Sequence, residues 1–477
     1  MSIVFLFFCL NLLPLNQKTF MHKIDIDFVE MTLDIMKYSI NRITNTTPEF
    51  GSPKKASELK ELVGETVTPN GIGGENAFAI WTDILSKANV PVSHPRNLSF
   101  VPSAPSRSSI LFDLVTSASN IHGSYWMMGA GGIFAENQAM EWLVSLTGLP
   151  EGAFGVFTSG GSSANLSSIV TAREYWRSKN PENEKKRGMI IISGGAHSSV
   201  ITMAKITDTD VHVINKEEKL TGVDVREELA NMPEEERHRV FAIIATAGTT
   251  NAGIIDDLEG IAHLCEEQGL WFHVDAAYGG GALASPKVRH LFNGIEKADS
   301  ITIDPHKWFF TTYDCGAVIY KKPELASQAL SQHGSYLDIF QDEGARGFNP
   351  SDYQVQLTRK LRGLSLWFSL AMHGTEVYRK AVETGLDLAQ KAKELITQNP
   401  NLEMVREPGL SCVLFRRKDW VPQDYYNWTY RNHKGNIALV TPTKWKNGNE
   451  METVARFCFI NPDTTEEDLK IILETMN

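Results

Sequence analysis

Ser300-Ile301-Thr302-Ile303-Asp304-Pro305-His306-Lys307-Trp308-Phe309 is the stretch on which the reading of the fold turns. A β-branched apolar run reads as a buried strand, Asp304-Pro305 stops it, and the chain then delivers His306 and Lys307 side by side ahead of two aromatics. Desolvation disfavours an ammonium, so a lysine held between a buried strand and Trp308-Phe309 is expected to have a lowered pKa or a covalent partner. A less protonated amine attacks carbonyl carbon. The alternative is a lysine that snorkels from a strand end to water.

A second stretch, Trp271-Phe272-His273-Val274-Asp275-Ala276-Ala277-Tyr278-Gly279-Gly280-Gly281, reads as another buried strand that ends in an acid and then small residues. Two neighbouring parallel strands would present Asp275 and Lys307 at their carboxyl ends, the crevice where open α/β sheets bind ligands. An acid that keeps a pyridine nitrogen protonated and a lysine that bonds to an aldehyde are what pyridoxal 5′-phosphate requires. Asp275 as a helix cap is the weaker reading. Further upstream, Phe157-Thr158-Ser159-Gly160-Gly161-Ser162-Ser163-Ala164-Asn165 lies between an apolar strand and a helix over Leu166–Trp176. Its glycines let backbone approach an anion, and the N–H groups of a helix start favour phosphate. The spacing is neither a Walker loop nor a dinucleotide fingerprint, and alone it would be a Ser/Gly-rich helix start. Beside Lys307 and Asp275 it becomes a phosphate cradle with Gly161 and Ser162 as its contacts. Apolar runs near 189–193, 211–214 and 241–250, alternating with helical segments, predict a mostly parallel sheet covered on both faces over residues 155–320.

The 477 residues exceed one ordinary domain, and a chain 42% hydrophobic and 22% charged has an ordinary globular composition. Three parts are expected: a leader and helical segment over 1–85, a large α/β domain over 86–370 and a small α+β domain over 371–477. A net charge of −11 and a pI near 5.7 argue against nucleic acid or anionic membrane as the main partner. Cys9, Cys265, Cys315, Cys412 and Cys458 are far apart in sequence, without metal-ligand spacing or a disulfide framework, which fits a reducing, cytoplasmic compartment. Ile3–Leu15 is mostly apolar but falls short of the ~20 residues that span a bilayer, and no basic region precedes it. Met21 is therefore expected as the natural start, or residues 1–20 as a disordered leader. Val29, Leu33, Met36, Ile40 and Ile43 follow helical spacing, so an amphipathic helix is expected between Ile24 and Ile43. Gly129-Ala130-Gly131-Gly132 is expected to separate a helix over Phe112–Ile121 from one over Glu136–Leu146, and Gln332–Gly344 to form a loop.

Taken together, these stretches resemble the group II pyridoxal-phosphate-dependent amino acid decarboxylases, which include the aromatic-L-amino-acid, histidine and glutamate decarboxylases. The resemblance rests on Ser300–Lys307 with Cys315 beyond it and on His273-Val274-Asp275-Ala276-Ala277, and it extends from about residue 80 to about residue 470. It implies the fold type I α/β architecture of the pyridoxal-phosphate transferases and a homodimer in which N-terminal helices wrap around the partner subunit. It implies that Lys307 holds the cofactor, that Asp275 faces its ring nitrogen, and that His197 stacks on one ring face while Ala277 leaves room on the other. Thr246 falls near the phenolic oxygen or the substrate carboxylate, and His306 near the phosphate. His94 and Ser103 match positions beside the substrate and cofactor, and Tyr336 matches a catalytic-loop tyrosine that donates a proton. For His197, Thr246 and Tyr336 the plain alternatives are a helix cap, a turn cap and an idle loop residue. The sequence departs from the aromatic branch at Arg96-Asn97, which are polar, and at Gly129–Gly132, where that branch has Ser-Pro-Ala.

The implied reaction is decarboxylation of an L-amino acid to a primary amine and carbon dioxide. Trp126, Phe100 and His94 suit an aromatic substrate and Arg96 an acidic one, with aromatic placed ahead. The rivals are another enzyme of the same fold (an aromatic aldehyde synthase, an aminotransferase or a carbon–carbon lyase) and a non-catalytic cofactor-binding protein.

Overall fold

The strands predicted around Asp275 and Lys307 assemble into one sheet in the computed structural model, which describes residue 21 and residues 24–179, 181–216, 218–332, 347–448 and 450–477. Its seven strands are β1 (Phe154–Thr158), β2 (Met189–Ser193), β3 (Asp210–Ile214), β4 (Val240–Thr246), β5 (Trp271–Asp275), β6 (Ser300–Ile303) and β7 (Gly316–Tyr320), in the order β1-β7-β6-β5-β4-β2-β3. Neighbours from β3 across to β6 run parallel, and β7 is antiparallel to both β6 and β1. Every residue of β2, β4, β5, β6 and β7 is buried. That explains why these strands read as continuous apolar runs rather than alternating ones: both faces are covered. This is the mostly parallel α/β fold expected from the sequence.

Several helices pack on this sheet, three of them at β1, β7 and the strand ends near Lys307. Helix α1 (Trp126–Thr147) carries one non-helical residue, Gly129 at φ −140° and ψ 28°. The expected break across Gly129–Gly132 is thus a single kink, and the helix begins ten residues before Glu136. The reason is packing: a Cβ at Gly132 would meet Leu361 Cδ1 at 2.3 Å, so the glycine serves close approach while staying helical. Helix α2 (Gly161–Lys179) starts at the Gly/Ser stretch, and α3 (Pro305–Trp308) is a single turn with Pro305 at its first position.

A second sheet orders β10 (Thr443–Asn447), β11 (Glu450–Cys458), β9 (Cys412–Arg417) and β8 (Leu402–Met404) side by side, all antiparallel. The helix Thr375–Gln398 packs Ala389, Ala392 and Ile396 into a core with Val413, Phe415 and Phe457. Pairing of β9 with β11 sets Cys412 opposite Cys458, so two cysteines distant in sequence are neighbours in space, both as buried free thiols.

By internal contacts residues 1–91 and 92–477 are separate units, and both sheets belong to the second. In the first, the predicted amphipathic helix spans Ile26–Thr44, capped by Asp25 Oδ1 accepting from the Phe28 N–H at 3.1 Å, and it buries none of its residues fully. No helix among the described residues is long and apolar enough to cross a membrane.

Candidate active site

A cavity of about 360 Å³ opens where α2 begins and where β4, β5 and β6 end. Parallel pairing sets Asp275, the last residue of β5, beside Thr302 of β6, and the turn after β6 carries Lys307 to the same end of the sheet. Of the residues singled out from sequence, Gly161, Ser162, His197, Thr246, Asp275, Ala277, His306 and Lys307 all line this one cavity. They come from strand ends and helix starts, and the shared topology gathers them.

Each has a local reason to be there. The first intrahelical bond of α2 runs from the Ala164 N–H to the Gly160 carbonyl at 3.1 Å, so the N–H groups of Gly161, Ser162 and Ser163 precede it and stay free for an anion. Gly160 has φ +144°, and a Cβ on Gly316 would lie 2.5 Å from its Cα, so backbone passes close to backbone beneath the cradle. Asp275 accepts one hydrogen bond on each oxygen, from the Ala277 N–H at 3.1 Å and from Asn165 Nδ2 at 2.9 Å. His197 caps the helix Ser198–Ile206, its Nδ1 accepting from the Ser199 N–H at 3.2 Å, and also lines the cavity; the two readings of this residue are compatible.

Lys307 corrects the expectation of a lowered pKa. Burial pulls it down, but Asp304 Oδ2 lies 2.9 Å from Nζ and the charges of Asp304 and Asp275 together raise it above its ordinary value. The aspartate that ends the strand is also the lysine's counter-ion, three residues away on a helical turn. His306 is pushed the other way, chiefly by burial, and its Nδ1 lies 2.6 Å from the Cys315 carbonyl.

Two expected residues are placed elsewhere. His94 is buried away from the cavity, where burial and the nearby Arg96 lower its pKa to about 4. Ser103 is buried, donates to the Thr311 carbonyl at 3.2 Å and so ties down the loop after Lys307, and it is not among the cavity's lining residues. Tyr336 lies outside the described residues, as do residues 1–20. Sequence reading missed Asp304 as an ion partner and Asn165 as a partner of Asp275. The available signal was spacing: Asn165 follows Gly161 by four positions, one helical turn.

The residues fit pyridoxal 5′-phosphate on the chemistry of the donor set. Free helix-start N–H groups stand at one place and a carboxylate at another, with a lysine amine lining the same space. The hydroxyls of Ser163 and Thr246, both lining the cavity, are buried with no partner among the described residues, as polar atoms awaiting a ligand are.

Fold and site define an α/β enzyme of the pyridoxal-phosphate class. The chain belongs to the pyridoxal-dependent decarboxylases, since the model of their conserved domain matches residues 79–418. It is therefore a carboxy-lyase that uses this cofactor. It is 29% identical over 430 residues to an aromatic-L-amino-acid decarboxylase of Bacillus atrophaeus, covering 87% of each chain. It is likewise 29% identical over 388 residues to an L-2,4-diaminobutyrate decarboxylase of Acinetobacter baumannii, covering 77% of this chain and 75% of that one. The fold matches the crystal structure of 4-hydroxyphenylacetaldehyde synthase from Rhodiola rosea with a TM-score of 0.83 at 19% identity, over 95% of this chain and 98% of the other.

Proposed function

We propose that this enzyme decarboxylates an L-amino acid, an aromatic one ahead of others, to the primary amine. The single observation that carries the reading is the meeting of Asp275, Lys307 and the start of α2 in one cavity. When bound, the cofactor supplies the electron sink for the bond broken at the substrate's α-carbon. The rest is the work of side chains. Lys307 would hold the aldehyde, and Asp304 Oδ2, hydrogen-bonded to Nζ, would accept the proton that the amine must lose first. Asp275 sets a fixed negative charge against the ring nitrogen. His197 would cover one ring face and Ala277 would leave space at the other. The N–H groups of Gly161 and Ser162, with His306, would take the phosphate, and the Thr246 hydroxyl, without a partner among the described residues, would face the ligand. Tyr336 stays our candidate for the proton donor to the α-carbon.

The aromatic preference is supported by the similarity to the Bacillus enzyme and by the state of Arg96. Arg96 Nε lies 3.7 Å from Asp468 Oδ1, so its charge has an acid already and is a poor receptor for an acidic substrate. The similarity to a diaminobutyrate enzyme keeps basic amino acids in the panel. Exposed apolar side chains on the helix Ile26–Thr44, among them Phe28, Leu33, Ile35 and Ile40, support a homodimer. We also propose a cytoplasmic enzyme whose parts are the segment 1–85, the large domain 86–370 and the small domain 371–477.

The test is to trap carbon dioxide from carboxyl-labelled tyrosine, tryptophan, phenylalanine, histidine, glutamate, aspartate and diaminobutyrate, and to identify the organic product of each. Amine from an aromatic substrate is the expected result. Aldehyde with ammonia and peroxide would replace the reading with an aldehyde synthase, and no release from any substrate would overturn it.

A further inference from the structure

We propose that Asn165 and His273 are positioning residues that lock Asp275 in one orientation toward the cofactor's ring nitrogen, so that helix α2 grips both ends of the cofactor. The proposal rests on the cofactor reading and goes beyond it.

Strand alternation brings the groups together. In β5, His273 and Asp275 are two apart and share a face; in β6, Ser300 and Thr302 do the same, and the register pairs His273 with Ser300 and Asp275 with Thr302. Four polar side chains thus stand together on strands that are otherwise almost wholly apolar, and the first two turns of α2 lie over them with Asn165 and Ser168. Buried polar groups at such a place must satisfy one another.

They do so in one direction only. Asn165 Nδ2 donates to Asp275 Oδ2 at 2.9 Å, which fixes its amide with the oxygen pointing away, since the opposite orientation would set two oxygens against each other. Asn165 Oδ1 then accepts from Thr302 Oγ1 at 2.7 Å and from His273 Nε2 at 3.1 Å. His273 must therefore carry its proton on Nε2, leaving Nδ1 to accept from Ser168 Oγ at 2.9 Å or Ser300 Oγ at 2.8 Å. Trp271 Nε1 donates to Ser300 Oγ at 2.8 Å and ends the chain. Burial lowers the His273 pKa to about 4 and keeps the ring neutral, so the hydrogen bonds alone choose the tautomer. With Oδ1 held by the Ala277 N–H and Oδ2 by Asn165, the Asp275 carboxylate cannot rotate without stranding a donor.

Helix α2 thereby acts twice on the same ligand. Its first residues offer N–H groups to the phosphate, and one turn later it fixes the acid that meets the ring nitrogen, so a single rigid element sets the span between the two.

The experiment has two arms. In the first, the wild-type enzyme is labelled with ¹⁵N-histidine, and NMR should show His273 neutral from pH 5.5 to 8 with its proton on Nε2; a proton on Nδ1 would break the donor chain and overturn the proposal. In the second, Asn165→Leu, close in shape and unable to donate, should weaken cofactor binding by roughly ten- to a hundredfold, the loss expected for a hydrogen bond to a charged group. It should also move the ¹⁵N signal of ring-labelled cofactor toward the unprotonated position, while Ser168→Ala, at the far end of the chain, shifts that signal less. Asn165→Leu that lowers the melting temperature but leaves affinity and ring signal unchanged would reduce Asn165 to a structural residue and overturn the proposal. Failure of the cofactor reading would appear separately, as Lys307 left unlabelled by borohydride reduction of the wild-type holoenzyme.

Discussion

Replacing Glu136 with methionine should cost about 3–5 kcal/mol of stability, and the structure explains why. Arg359 Nη2 donates to both oxygens of Glu136, at 2.9 and 2.7 Å, and the two side chains are 0% and 3% exposed. Glu136 Oε1 also accepts from the Gly363 N–H at 2.7 Å, and Arg359 Nη1 donates to the Gly123 carbonyl at 2.7 Å. Burial pushes the Glu136 pKa up against the pull of Arg359 and Gly363. Removing the glutamate leaves a guanidinium in the core with one neutral acceptor, and that uncompensated charge is the main cost. Removing both, as Glu136→Met with Arg359→Met, deletes the charges together and leaves only the Gly363 N–H and Gly123 carbonyl unpaired, about 1–3 kcal/mol each before the gain in apolar packing offsets part of it. The double variant should thus be no worse than either single one, and far from the sum of the two. Chemical denaturation followed by tryptophan fluorescence measures all four proteins of the cycle. Additive losses, or a single-variant loss below about 1 kcal/mol, would show that the pair is not buried as described.

Two further outcomes are expected. Asp304→Asn removes the charge nearest Lys307 and should lower the lysine pKa, read as a shift to lower pH in the labelling of cofactor-free enzyme by an amine reagent; an unmoved profile would discharge Asp304 as the counter-ion. Asp256 is buried, which raises its pKa from 3.8 to about 6 although it accepts from the Thr246 and Leu220 N–H groups. The folded state therefore keeps a proton that the unfolded state has lost between pH 4 and 6, and stability relative to Asp256→Asn should fall by roughly 3 kcal/mol as pH rises across that window, with a flat difference as the refuting result.

What could be read from the chain was what depends on local pattern. The strands at Trp271–Asp275 and Ser300–Ile303 are legible because uninterrupted apolar runs bounded by Asp, Pro and Gly have few other readings, and the helix Ile26–Thr44 because its helical period is long. The cavity residues followed, since strand ends of a parallel sheet share one edge. The expectation for Lys307 fails because it weighs burial alone, and Pro305 as a stop hides the carboxylate beside the amine. Pro305 is instead the first residue of a helical turn, and that turn folds Asp304 against the lysine. The contact of Cys412 with Cys458 and the bond of Asn165 to Asp275 depend on register between elements far apart in sequence, which no local period encodes. Gly132 shows the same limit from the other side: its neighbour Leu361 is 229 positions away, so helix interruption was the only local meaning its glycine offered.

The electrostatics of the cavity narrow its ligand more than the fold does. A helix start with three free N–H groups makes one region attractive to an anion, while Asp275, held on both oxygens by neutral donors, keeps its charge facing the remaining space. A neutral or wholly anionic molecule would leave Asp275 with Lys307 as its one ammonium partner among the described lining residues, and Asp304 already engages that lysine. The ligand that satisfies every group must be anionic at one end and cationic at the other, with a carbonyl within reach of an amine between them. The protonated cofactor meets that description, and a dinucleotide or a sugar phosphate does not. The choice of class therefore rests on three features that share one cavity: the helix start that attracts an anion, the Asp275 carboxylate and the Lys307 amine.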